Sequence, residues 1–150
     1  MSGILFVCTG NTCRSPMAAA LAAAMFEREG IKIAVSSAGV SAYDGSSASK
    51  NAVLAMEHEK IDISGHKSRV ALSELLETSA LILTMTRAHL SYVKASCPAA
   101  KAFTLGEYAE SLMDIADPFG GNLEEYRTCA EQIKKLLEAC VDRIKGEFNG

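Results

Sequence analysis

The 150-residue chain has no tryptophan, only three prolines and three histidines, and no Cys-x2-Cys or Cys/His spacing of the kind that builds a zinc site. Its five cysteines, Cys8, Cys13, Cys97, Cys129 and Cys140, are odd in number, so reduced thiols rather than a disulfide framework are expected. No stretch approaches the roughly 20 apolar residues that a membrane-crossing helix needs. Met1-Ser2-Gly3 leads into a strand-like run without the charged start of a signal peptide, so the expected location is cytoplasmic. Neither charge sign dominates: 15 basic against 18 acidic residues give a net charge of -3, which offers nucleic acid or an anionic membrane no whole-surface attraction. Repeats, low-complexity tracts and interdomain linkers are missing too. With 49% hydrophobic residues the chain can bury one full core unaided, and a single domain over 1–150 is expected. The lack of an exposed heptad or long apolar stripe makes a monomer the expected state.

What is present is an alternation of strand and helix patterns. Residues 4 to 8 form a continuous apolar run, as a strand covered on both faces does, and Met17, Ala20, Leu21, Ala24 and Met25 repeat at helical spacing. Gly30 fits a helix stop. Ile31 to Val35 alternates like a strand, and Ser36-Ser37-Ala38-Gly39 reads as a polar loop. Helices are expected over about 47–59, 72–77 and 88–95, with strands at 80–84 and 102–105. Tyr126, Cys129, Ala130, Ile133, Leu136, Leu137, Cys140 and Ile144 trace the buried stripe of a long final helix. The fold class that follows is α/β: a doubly wound, four-stranded parallel sheet with helices on both faces. Such sheets bind ligands in the loops at the carboxyl ends of their strands, where residues 8 to 15 fall.

That loop reads Val7-Cys8-Thr9-Gly10-Asn11-Thr12-Cys13-Arg14-Ser15-Pro16-Met17. Proline is tolerated in a first helical turn, so the helix start offers free amides. Gly10 permits unusual backbone angles and Asn11 tolerates the left-handed region, so the amides of Thr9 to Cys13 can turn inward around an oxyanion of phosphate size. No Gly-Lys-Ser/Thr follows, which excludes the nucleotide-binding loop of similar purpose. The residue at the entrance is instead a cysteine, and a helix start with a nearby guanidinium favours its thiolate. Cys8 then reads as a nucleophile. Arg14 offers a planar fork for two phosphoryl oxygens, and Ser15 can donate its hydroxyl to the Cys8 sulfur. The plainer alternative makes Cys8 a small buried hydrophobe and Arg14 a solvated residue, but the helix dipole disfavours arginine at this end unless an anion compensates. Displacing a leaving group also needs a proton donor from another loop. Asp117 in Asp114-Ile115-Ala116-Asp117-Pro118-Phe119-Gly120-Gly121 is the candidate, with Asp114 as its competitor.

These two segments resemble the signature and the general-acid loop of the low-molecular-weight protein tyrosine phosphatases, and the resemblance runs essentially end to end. It implies a metal-free and cofactor-free enzyme that acts on phosphorylated proteins through a cysteinyl-phosphate intermediate. Cys8 would be the nucleophile, Arg14 the phosphate clamp and Asp117 the acid and then the base, while Asn11, Ser15, Ser37 and His66 would hold the loop. Thr12, where tyrosine-directed members carry a larger aliphatic residue, together with Asp117-Pro118-Phe119-Gly120-Gly121, is similar to the bacterial protein arginine phosphatase branch. Phosphoarginine is therefore the favoured substrate and phosphotyrosine the alternative. Tyr43 and Phe119 are candidate aromatic walls for either group. Cys13 is a candidate for a reversible disulfide with Cys8. An arsenate reductase is the rival enzyme, disfavoured because Cys97 stands without a second cysteine nearby, and a phosphate-binding module without turnover is the rival outside enzymology.

Overall fold

In the computed structural model the apolar run Ile4–Cys8 is β1, one of the two inner strands of a parallel sheet in the order β2-β1-β3-β4. The structure describes residues 3–149, so residues 1, 2 and 150 of the expected 1–150 domain lie outside the described residues. The remaining strands are β2 Val35–Gly39, β3 Leu81–Thr84 and β4 Ala102–Thr104. The helices are α1 Arg14–Glu29, α2 Lys50–His58, α3 Ser73–Thr78, α4 Arg87–Ser96, α5 Leu105–Tyr108 and α6 Leu123–Phe148.

Every β1 side chain is buried because the strand feeds two cores in alternation. Ile4, Phe6 and Cys8 join Leu81 and Leu83 of β3, Met17 and Leu21 of α1 and Ile133 and Leu137 of α6. Leu5 and Val7 join Ile82, Leu76 of α3 and Val93 of α4 on the opposite face. A fully buried side chain of this kind contributes about 1.5–3 kcal/mol. A strand flanked on both faces by helices cannot alternate polar and apolar residues, which is why 4 to 8 reads as an unbroken run.

Two expectations need correcting. The second strand is Val35–Gly39 rather than Ile31–Val35, paired in register from Ile4 with Val35 to Cys8 with Gly39. Ser36 and Ser37 are tolerated because β2 is an edge strand with one neighbour. Ile31 instead packs into the core directly after α1 has ended at the left-handed Gly30 (φ 71°). The last expected strand is also shorter, since Leu105 opens α5, capped by Thr104 and Glu107.

Chain order reverses at β1: the chain leaves β1 for β2 on one side and returns to β3 on the other. The crevice at such a reversal, beyond the carboxyl ends of the strands, is where doubly wound sheets bind ligands. Three loops converge there: 9–13 after β1, 40–49 after β2 and 109–122 before α6. The first two are stitched together by Val40 N–H donating to Cys8 O and Ser41 N–H to Thr9 O, both at 2.9 Å. At Gly39 a Cβ would collide with the Thr9 carbonyl and sit 2.9 Å from Asn11 N. Gly39→Ala is accordingly expected to destabilise the protein by about 1–3 kcal/mol through this overpacking, read as a lower midpoint in urea unfolding followed by far-UV circular dichroism.

Candidate active site

Cys8 ends β1 with its side chain buried, and Arg14 opens α1 on the far side of the loop. A cavity of about 220 Å³ between them is lined by Cys8, Thr9, Gly10, Thr12, Cys13, Arg14, Asp117 and Phe119. The first turn of α1 has no side-chain cap and no acidic residue, so its positive end is left to whatever occupies that cavity. Arg14 is only 4% exposed. One of its nitrogens donates to Ile115 O at 2.8 Å, and the other lies 3.4 Å from Thr9 Oγ1 and 3.5 Å from Asp117 Oδ2. A buried guanidinium whose single carboxylate partner is half exposed has capacity left for an anion.

Asn11 organises the loop. It carries the left-handed conformation (φ 57°) expected to be tolerable there, whereas Gly10, the other residue offered for an unusual angle, is not among the glycines with positive φ. Asparagine visits this region because its amide can bond locally. Here Nδ2 donates to Ser15 Oγ at 2.8 Å and to Ser37 Oγ at 2.9 Å, while Oδ1 accepts from Arg69 N–H at 3.0 Å. His66 Nε2–H donates to Asn11 O at 2.7 Å. Asn11 is fully buried and its side chain supports the loop from behind rather than lining the cup. Since Ser15 Oγ already accepts from Asn11, its own proton is free for Cys8 Sγ at 2.9 Å, with Ala38 O a longer option at 3.4 Å.

Asp117 reaches the cup from the 109–122 loop, and Asp114 does not. Asp114 accepts the Arg87 N–H with both oxygens at 3.2 Å, closing the start of α4, and is absent from the cavity lining. Asp117 Oδ1 accepts from Phe119 N–H at 3.0 Å, which leaves Oδ2 toward Arg14. The loop is fixed to the sheet by Ile115 N–H donating to Met85 O at 3.0 Å, and to α2 by Asn51 donating to Gly121 O at 3.2 Å.

Of the two aromatic candidates, Phe119 lines the cavity and Tyr43 does not: Tyr43 is 82% exposed, and its carbonyl accepts the Ser68 hydroxyl. Thr12 lines the cup with its carbonyl held by Ser49 N–H at 2.9 Å. Cys13 is a free thiol 3.3 Å from Tyr126 Oη and 3.4 Å from Ser49 Oγ, and burial together with that sulfur pushes the Tyr126 hydroxyl up to about 12. Cys97, Cys129 and Cys140 are buried and unbridged.

Sequence reasoning passed over His89, which lies 2.9 Å from Thr9 Oγ1. Burial, and then the Arg14 charge, lowers its pKa to about 4. The available signal was Thr86-x-x-His89 directly after a buried strand, the spacing of a helix-capping pair at the ligand-binding end of the sheet. A sulfur with a hydroxyl donor, a guanidinium fork, uncapped helix amides and a carboxyl group around one small cavity form a set suited to moving a phosphoryl group through sulfur.

Known proteins resemble this chain along nearly its whole length. Residues 3–149 match the family described as low molecular weight phosphotyrosine protein phosphatase. The chain is 40% identical over 145 residues to a protein from Bacillus subtilis named protein-arginine-phosphatase, covering 95% of this chain and 96% of that one. It is 38% identical over 145 residues to the probable low molecular weight protein-tyrosine-phosphatase EpsP of Ralstonia nicotianae, covering 95% of each. Among solved structures, a mutant YwlE arginine phosphatase with a phosphorylated active-site serine superposes with a TM-score of 0.91 at 39% identity, covering 95% of each chain. Because the match takes in all four strands and every loop that lines the cup, this chain belongs to the low molecular weight phosphotyrosine protein phosphatase family.

Proposed function

We propose that the chain hydrolyses phosphorylated proteins, with phosphoarginine as the substrate, and that Cys8, Arg14 and Asp117 carry the reaction. The observation that carries this reading is the meeting of all three around one cavity of about 220 Å³. Cys8 Sγ attacks phosphorus as the thiolate, the bond from phosphorus to the substrate nitrogen breaks, and Asp117 delivers a proton to that nitrogen. Water then attacks the phosphocysteine, Asp117 takes its proton, and phosphate leaves as the thiolate is restored. Arg14 and the loop amides of Thr9 to Cys13 hold the equatorial oxygens, where charge spreads in the transition state. Ser15 donates to the sulfur and eases its departure, while Asn11, Ser37 and His66 keep the loop curled.

Substrate choice rests on Thr12. Its short polar side chain at the cavity wall leaves width for a planar guanidinium, and the Bacillus subtilis relative is named for arginine. Phosphotyrosine is the second reading, favoured by Phe119, a 74% exposed ring at the rim, and by relatives named tyrosine phosphatases. The five unbridged cysteines fit a reducing compartment such as the cytoplasm. Cys8 and Cys13 line the same cup, so two-electron oxidation by a peroxide would join them as a disulfide and release two waters.

The wild type is expected to hydrolyse p-nitrophenyl phosphate, and Cys8→Ser to abolish turnover. Asp117→Ala should lower kcat by about 10²–10⁴-fold while vanadate still binds; binding without turnover in the wild type would instead favour a phosphate-binding module. Phosphoarginine peptides are expected to give a higher kcat/KM than phosphotyrosine peptides of the same sequence. Thr12→Ile should move that ratio toward tyrosine by about tenfold or more, and an unchanged ratio removes Thr12 as the selector. Peroxide treatment followed by thiol mapping should yield a Cys8–Cys13 link that a dithiol reverses.

A further inference from the structure

His89 is buried at the third position of α4, with both ring nitrogens engaged. Nδ1 lies 3.2 Å from Thr86 N and 3.0 Å from Thr86 Oγ1. A backbone N–H can only donate, so Nδ1 accepts and carries no proton. The proton of the neutral ring therefore sits on Nε2, which donates to Thr9 Oγ1 at 2.9 Å. Thr9 Oγ1 also lies 3.4 Å from an Arg14 nitrogen, another obligate donor. A hydroxyl that accepts twice keeps one proton to give. Thr9 lines the cavity beside Cys8, so that proton is turned toward the cup.

We propose that His89 is a positioning residue: a neutral imidazole that, by donating Nε2–H to Thr9, aims the Thr9 hydroxyl proton at the reacting phosphoryl oxygens and steadies the Arg14 fork. This rests on the phosphatase reading of the site. The imidazolium is disfavoured on three counts. It would aim a second proton at Thr86 N–H, it would lose hydration in a buried position, and it would face the Arg14 charge. The charged groups facing His89 are Arg14 from α1 and Asp114 and Asp117 from the 109–122 loop, and the two carboxylates act in the opposite sense. Burial and Arg14 prevail, bringing the ring to about 4, so it is neutral near pH 7.

The same α4 turn is fixed from its other side. Asp114, three residues before Asp117, accepts the Arg87 N–H. One turn of helix thus holds a hydroxyl of the anion loop through His89 and the loop of the acid through Asp114.

The test combines a spectroscopic and a kinetic arm. Nitrogen-15 spectra of ring-labelled wild type, taken without substrate, are expected to show the Nε2–H tautomer from pH 8 down to pH 5. A protonated Nδ1 anywhere in that range overturns the proposal. In the kinetic arm, His89→Ala should reduce kcat on p-nitrophenyl phosphate by about tenfold with a smaller change in KM, the effect of losing one oriented hydrogen bond in the transition state. His89→Gln, which can keep the helix cap through its carbonyl and donate to Thr9 through its amide, should recover most of that loss. Thr9→Val should fall as far as His89→Ala, and the double variant no further. A Gln variant as slow as the Ala variant at equal unfolding midpoint, or losses that multiply in the double variant, would also overturn it. Wild-type turnover separates the two claims: a wild type that does not hydrolyse p-nitrophenyl phosphate sinks the phosphatase reading, while the tautomer spectra judge His89 without any turnover.

Discussion

A guanidinium buried at the positive end of a helix is the constraint on which the site depends. Arg14 opens a 16-residue helix whose first turn is uncapped, and it is 4% exposed, so two sources of positive potential share one small volume. Asp117 compensates only in part, because it sits 3.5 Å away and is 47% exposed. Such an arrangement persists in a fold only where the surroundings over-determine it. Here α1 is pinned by Met17, Leu21 and Met25 in the larger core, and the Arg14 head group by the Ile115 carbonyl. On the proposed reading, binding energy for a doubly charged anion is built into the native state.

The same logic governs the hydroxyl groups. A serine or threonine hydroxyl in a loop rotates freely and stabilises no charge until its proton has a fixed direction. Asn11 fixes Ser15 by donating to it, and Asn11 is in turn held by Ser37 of β2 and by His66 and Arg69 of the loop between α2 and α3. The left-handed conformation of Asn11 is intrinsically unfavourable by about 1–2 kcal/mol, and these four hydrogen bonds offset it. Strain in the loop is thus balanced by contacts outside it, so the cup is curled before any substrate arrives.

Much of this was legible in the sequence where the determinants are local. β1, the loop, α1 and its Gly30 stop all follow from a buried run, a polar cluster and a helical stripe within the first 30 residues. The long stripe of α6 was equally plain, and the capping pair Asn122 and Glu125 marks where it begins. β2 misled because an edge strand with one neighbour can carry Ser36 and Ser37, so alternation pointed at the preceding segment. Of the two residues offered for the unusual angle, Asn11 takes it, held by its side-chain bonds, and Gly10 does not. Tyr43 was placed at the pocket by the family resemblance, and its loop instead leaves the ring 82% exposed and away from the cavity. His89 escaped notice because its partner lies 80 positions away, a relation that no local pattern records.

The choice between Asp114 and Asp117 shows why the fold was needed to complete the site. Both are carboxylates in the same short loop and both satisfy a requirement for an acid. They separate because Ile115, between them, is clamped on two sides: its N–H donates to Met85 O at the end of β3, and its carbonyl accepts from Arg14, 101 positions earlier. That clamp turns one carboxylate toward the start of α4 and leaves the other beside Arg14 in the cavity that Cys8 lines. β1 and β3 are neighbours in the sheet, so the segments that follow them meet whatever their distance in sequence. On the proposed reading, the group that would bind the anion also positions the loop that would supply the acid, so a single side chain, Arg14, would couple recognition to proton transfer.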